Sequence, residues 1–213
     1  MLDSAREGSP TAYQRKDAFY QRAKREGFRS RAAYKLQEIQ RSQGLLRPGQ
    51  RVVDLGCWPG GWLQVASEEV GPRGRVVGVD LVPIEPALGL ANVIAIVGDL
   101  SDPLVVEAIL RELAGPADVL LSDAAPKLTG IRATDRAREE ALLDAICALV
   151  PKLLRPGGDL LAKVLDGPEA EGFTRTLRGS FTRLKSLRPE ASRKGTTERY
   201  VVARGHRPGA PPA

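Results

Sequence analysis

Apolar residues along this chain fall into two alternating patterns. Short continuous runs at 52–55, 76–79, 93–97, 119–121 and 160–164 are rich in Val, Ile and Leu and have the length of strands. Between them, apolar residues recur at helical spacing over about 62–70, 103–114, 136–154 and 168–179. Strands apolar on both faces and separated by helices make a parallel sheet covered on both sides. Two further strands, 183–188 and 199–203, have no helix between them, and so short a link predicts an antiparallel pair. The fold class expected is α/β: a doubly wound, mostly parallel sheet closed by an antiparallel edge hairpin.

Two helices precede the first strand. Asp17 opens one that Gly27 ends, and Ser30 caps a second that runs to about Gln43 and stops at Gly44. On the second, Ala32, Leu36 and Ile39 share an apolar face, with Lys35 beside it. No linker or repeat divides the rest, so residues 13–204 read as one domain with basic helices at about 17–44. Residues 1–12 and 205–213 are expected to be disordered.

The charge is unevenly spread. The net +6 of the 213 residues divides into +6 over 1–50, −8 over 51–174 and +8 over 175–213. Basic ends around an acidic middle point to a polyanion, nucleic acid in the first place. Tyr13, Phe19, Tyr20 and Phe28 interleave the first basic run, where they either stack on bases or pin the segment to the core. Two cysteines, Cys57 and Cys147, are too few for a disulfide framework or a zinc site and read as buried thiols. The single histidine, His206, lies in the tail, which leaves no basis for a Ser–His–Asp triad or a histidine-rich metal site. No apolar run approaches the roughly 18 residues of a membrane span, and the N-terminus lacks the apolar stretch of a secretion signal. The expectation is a cytoplasmic protein with no metal and no membrane partner.

The first strand runs into Asp54-Leu55-Gly56-Cys57-Trp58-Pro59-Gly60-Gly61-Trp62, a glycine-rich turn that brings backbone close to a ligand. Its spacing argues against a dinucleotide. The phosphate-cradling fingerprint needs a glycine where Trp58 stands, and Pro59 removes a backbone donor. The loop suits a ligand with an adenosine half and no phosphates, for which S-adenosylmethionine is the obvious candidate.

In open α/β sheets ligands sit at the carboxyl ends of the strands, and four successive strands here end in an acid: Asp54, Asp80, Asp99 and Asp123. Asp80 is placed to accept ribose hydroxyls and Asp99 an adenine amine. Asp54 is read as orienting the loop through its amides, ahead of direct ligand contact. Trp62 either lines the pocket or belongs to the core. Lys163 sits in the apolar run Leu160-Leu161-Ala162-Lys163-Val164-Leu165, where a lysine is costly without a task or a partner. A plain ion pair with Asp123 is the alternative to a catalytic role.

Taken together, these pieces resemble the FtsJ/RrmJ-type ribose 2′-O-methyltransferases, from about Tyr20 to Ala203. The matching segments are Ser30-Arg31-Ala32-Ala33-Tyr34-Lys35-Leu36, the glycine loop, Ser122-Asp123 with Ala125-Pro126, Lys163 with its strand, and Ser192-Arg193 followed by Glu198 and Tyr200. The resemblance implies a Rossmann-like methyltransferase fold. It also implies a catalytic set of Lys35, Asp123, Lys163 and Glu198, and donor contacts at Gly60, Trp62, Asp80, Asp99 and Asp123. By the same resemblance the donor is S-adenosylmethionine and the substrate a uridine ribose in large-subunit (23S) ribosomal RNA, on the assembled subunit. The expected oligomeric state is a monomer. A transfer RNA or cap substrate is the nearer alternative, and a non-catalytic RNA-binding assembly factor the more distant one. Cys57-Trp58, Lys127 and Asp166-Gly167-Pro168 depart from the family pattern. Lys163 is the candidate proton acceptor, provided its amine is neutral.

Overall fold

Five parallel strands and an antiparallel hairpin make one seven-stranded sheet in the computed structural model, which describes residues 18–126, 129–192 and 195–209. The chain order is α1 (Ala18–Arg25), α2 (Ala32–Gln43), β1 (Arg51–Leu55), α3 (Gly61–Val70), β2 (Arg75–Asp80), β3 (Val93–Val97) and α4 (Pro103–Leu113). It continues with β4 (Ala117–Ser122), α5 (Arg132–Leu153), β5 (Leu154–Leu165), α6 (Pro168–Ser180), β6 (Phe181–Leu187) and β7 (Glu198–His206). The sheet order is β3-β2-β1-β4-β5-β7-β6, with β7 antiparallel to both its neighbours. The order reverses between β1 and β4, and the crevice at such a switch point is where doubly wound sheets bind ligands.

Period-two alternation sorts each strand between two cores. Val53, Leu55, Leu120, Leu160, Ala162 and Val164 pack under α4, α5 and α6. Val52, Val119, Leu121, Leu161, Tyr200 and Val202 pack under α2 and α3. The same alternation turns Asp54 and Lys163, both buried, toward the α2 side.

The N-terminal helices are pinned rather than splayed. Phe19 and Phe28 pack on Tyr34 with ring centroids 5.8 and 5.6 Å away, and the Tyr34 hydroxyl donates to Glu26 at 2.9 Å. Of the interleaved aromatics, Tyr20 stays exposed, while Tyr13 lies outside the described residues, as does Asp17.

Two local expectations are corrected. Ser30 does not cap α2: the cap position is Arg31, whose side chain makes no capping bond. The Ser30 hydroxyl instead faces Gly61, where a Cβ would lie 2.4 Å from its Oγ, so glycine is the residue that fits there. The chain also stays ordered past 204. β7 continues to His206, whose ring packs 5.4 Å from that of Phe181, and the Arg207 N–H donates to the Ser180 carbonyl at 2.7 Å. These contacts hold residues that composition alone assigned to a tail. Residues 1–12 and 210–213 lie outside the described residues.

Candidate active site

The register of β5 against β7 assembles half of the site. Lys163 pairs with Tyr200 and Leu165 with Glu198, so Tyr200 and Glu198 follow each other along the face that carries Lys163. Asp123 leaves the end of β4 beside them. The Lys163 ammonium lies 3.2 Å from Asp123 Oδ1 and also donates to the Asp123 carbonyl. Across the layer, α2 contributes Lys35, whose Nζ lies 3.0 Å from Glu198 Oε2 and 3.2 Å from Oε1.

Tyr200 links the two ion pairs. Its hydroxyl donates to Asp123 Oδ1 at 2.7 Å, and Lys35 Nζ sits 5.5 Å from its ring centroid. Burial, then the Asp123 charge, push this phenol far above its ordinary range, so it stays a donor. Lys35, Asp123, Lys163 and Glu198 are therefore brought into one cluster, with Tyr200 in the middle. Sequence reading gave Tyr200 no role because a strand tyrosine is ordinarily core.

A second contributor missed by sequence is Glu139 of α5. It is buried, and its Oε1 accepts the Leu165 N–H at 3.1 Å, two residues beyond Lys163. Burial raises its pKa, against the opposing pull of that N–H and of Lys163. Its helical setting among charged residues reads as surface, which is why the pattern concealed it.

A cavity of about 420 Å³ opens next to Asp123, lined by Gly56, Trp58, Asp80, Leu81, Asp99 and Ala124 among others. Gly56 has φ +81°, and a Cβ there would meet the Ala124 Cβ at 2.6 Å, so the loops after β1 and β4 close on each other only through glycine. Asp80 ties the loops after β1 and β2 together: Oδ2 accepts the Trp58 N–H at 2.9 Å and Oδ1 the Val82 N–H at 3.0 Å. Asp99 takes the Ser101 N–H and hydroxyl on Oδ1, both at 2.8 Å, and these bonds lower its pKa.

The loop-orienting role expected of Asp54 thus belongs to Asp80. Asp54 is buried, and neither of its oxygens has a hydrogen-bond partner among the described residues. Burial, then the charges of Asp123 and Asp80, hold its carboxyl well above the usual range. No group of His, Cys, Asp or Glu side chains that could hold a metal ion occurs among the described residues.

Residues 28–206 match the family described as FtsJ-like methyltransferase. The chain belongs to the FtsJ-like methyltransferases. It is 44% identical, over 91% of its own length and 91% of the other, to the ribosomal RNA large subunit methyltransferase E of Methanothermobacter thermautotrophicus. Among solved structures, a Plasmodium falciparum protein provisionally described as a ribosomal RNA methyltransferase superposes with a TM-score of 0.74 at 26% identity, covering 84% of this chain and 98% of that one. Aeropyrum pernix fibrillarin, solved with natively bound S-adenosyl-L-methionine, shares the fold with a TM-score of 0.58 at 22% identity over 80% of this chain and 75% of that one.

In this FtsJ-like enzyme the expected donor contacts divide. Asp80, Asp99 and Asp123 line the cavity. Trp62 does not: it is 3% exposed, its indole N–H donates to the Ala32 carbonyl at 2.8 Å, and its ring packs 5.9 Å from that of Tyr200. Gly60 packs under Ile84 and Leu88 rather than on the cavity wall. The aromatic that does line the cavity is Trp58, 55% exposed. Cys57 is buried and Cys147 half-buried; burial raises both thiols, Cys147 to about 12, so neither is a ready nucleophile. Lys127 and Arg193 lie outside the described residues.

Proposed function

We propose that this chain methylates the ribose 2′-hydroxyl of a uridine in large-subunit ribosomal RNA, using S-adenosylmethionine, and that it works as a monomer. The observation that carries the reading is the pair of ion pairs, Lys35–Glu198 and Lys163–Asp123, joined through Tyr200 and opening beside an acid-lined cavity. All of these groups lie on one chain, which supports a site built within a monomer.

The cavity suits this donor chemically. Its cationic groups meet carboxylates, and the Asp80 oxygens keep lone pairs for ribose hydroxyls after accepting one N–H each. Leu81, Ala124 and the exposed Trp58 provide apolar surface for the adenosine half. When bound, the donor supplies an electrophilic methyl.

The rest of the chemistry falls to the cluster. A 2′-hydroxyl must be held about 3–3.5 Å from its target and must lose a proton as it attacks. Lys163 is the basic group beside the cavity acid Asp123 and points its ammonium at two Asp123 oxygens. In that state it donates and orients. It accepts the proton only as the neutral amine, its own ammonium proton having left to solvent beforehand. Lys35 and Glu198 hold the far side of the nucleotide.

Transfer of labelled methyl from the donor to undermethylated large-subunit RNA, with bulk transfer RNA in parallel, tests this. Label in the ribosomal RNA supports the reading. Label in transfer RNA alone keeps the chemistry and overturns the substrate, and label in neither overturns both.

A further inference from the structure

The sheet has a second concave polar surface at the end opposite the catalytic cluster. β5 begins there, β7 ends and β6 begins, while the C-terminal end of α2 and the loop before β1 form the wall. The resulting cleft is about 610 Å³. Asp118 and Asp159 line it, and both are already engaged. Asp118 Oδ1 holds Arg155 at 2.6 Å and its Oδ2 accepts the Arg51 N–H at 2.7 Å. Asp159 Oδ2 holds Arg204 at 2.7 Å and its Oδ1 accepts the Gly205 N–H at 3.0 Å. Arg204 also donates to the Gln43 carbonyl, which ties the floor to the wall.

These bonds fix two arginines in the lining and leave three other cations. Arg47, Arg183 and Lys185 are exposed and have no acidic partner among the described residues. Five cations against two acids give the lining a net +3. Charges on an edge strand discourage strand-to-strand association, and that accounts for Arg183 and Lys185 on β6. It does not account for Arg47 across the cleft, nor for the two fixed arginines that line the same space.

The cleft also lies on the catalytic face. Arg183 pairs with Arg204, Lys185 with Val202, and Leu187 with Tyr200, so period two puts Arg183 and Lys185 on the face that bears Tyr200 and Lys163. Along β7, Glu198 and Arg204 are six residues apart, roughly 20 Å at about 3.3 Å per residue. On α2, exposed Arg41 directly precedes the cleft residues Ser42 and Gln43.

We propose that this cleft is a phosphate-binding site for the backbone of the RNA substrate, engaging a segment well away from the methylated nucleotide. The inference rests on the RNA reading above and adds a recognition element remote from the chemistry. An unpaired cationic concavity binds phosphates by releasing counterions, so its contribution is salt-dependent and independent of base sequence.

The test is the double variant Arg183→Glu/Lys185→Glu, with Arg73→Glu/Arg111→Glu on exposed positions elsewhere as the control for equal charge change. Methyl transfer to undermethylated large-subunit RNA is measured from low to moderate salt. The cleft variant should raise KM about tenfold at low salt and flatten the salt dependence by roughly 1.4–1.8 in log–log slope, about 0.7–0.9 for each lost phosphate contact. Its kcat, donor affinity and melting temperature should match the parent. Should the glutamates impair folding, Arg183→Gln/Lys185→Gln gives the same test with a smaller shift. An unchanged KM and slope, or an equal rise in the control, overturns the cleft while leaving the functional reading intact. A parent enzyme that methylates no RNA overturns the functional reading itself.

Discussion

Lys163 meets Asp123 twice, with its ammonium 3.2 Å from Oδ1 and donating to the carbonyl of the same residue. The contact fixes the lysine against the turn that also lines the acid-rich cavity. Lys163→Ala removes the group we propose to orient the hydroxyl and take its proton, while Asp123 keeps the Tyr200 bond. A positioned proton acceptor contributes about 10²–10⁴ in rate. Single-turnover methyl transfer should fall within that range, and calorimetric donor affinity should stay within about threefold. Loss of donor affinity would make Lys163 a support of the cavity instead.

Tyr200→Phe keeps the ring in the core and deletes one hydroxyl. Asp123 then loses its 2.7 Å donor, a bond to a charged group worth about 1.5–3 kcal/mol. The expected result is a lower melting temperature together with a kcat reduced about tenfold and little change in KM. An unchanged kcat would confine Tyr200 to packing.

Asp54 gives a pH signature. Its carboxyl is held above the usual range, so the folded chain binds this proton more tightly than the unfolded chain does. The destabilisation it causes is absent below the unfolded pKa of about 3.9 and grows as pH rises through that value toward the folded one. Asp54→Asn should therefore raise the melting temperature at pH 7, by about 2–4 °C per kcal/mol gained. The gain should shrink toward nothing near pH 4. A gain of equal size at both pH values would assign the effect to packing.

The chain has two tryptophans, one in the core and one on the cavity wall. Titration with S-adenosylmethionine should change the indole emission of the parent and of Trp62→Phe but not of Trp58→Phe. Trp58→Ala should weaken donor binding several-fold. A response that survives loss of Trp58 and vanishes with Trp62 would move the donor toward the core tryptophan.

Much of this architecture was legible before any coordinates. Strands buried on both faces leave continuous apolar runs, and helices leave their own period, so β1 through β5 and the closing hairpin could be placed. Lys163 stood out because a lysine in such a run needs a partner. What the pattern hid were contacts that depend on register. Nothing local says that Tyr200 faces Lys163 across two strands, or that Glu139 reaches the end of β5. Asp54 and Asp80 both lie at the carboxyl ends of their strands, and only the packing decides that Asp54, one residue inside β1, is sealed while Asp80 binds the loops. Trp58 and Trp62 are four residues apart, but the helix start between them sends one into the cavity wall and the other under Tyr200. His206 looked like tail because its strand ends in Gly205 and polar residues, whereas Phe181 of the neighbouring strand holds it.

The most direct test of the central claim is nucleoside analysis by mass spectrometry after methyl transfer to undermethylated large-subunit RNA, with parent and Lys163→Ala enzymes side by side. The account predicts 2′-O-methyluridine from the parent and almost none from the variant. A base-methylated nucleoside, or equal product from both enzymes, would contradict it.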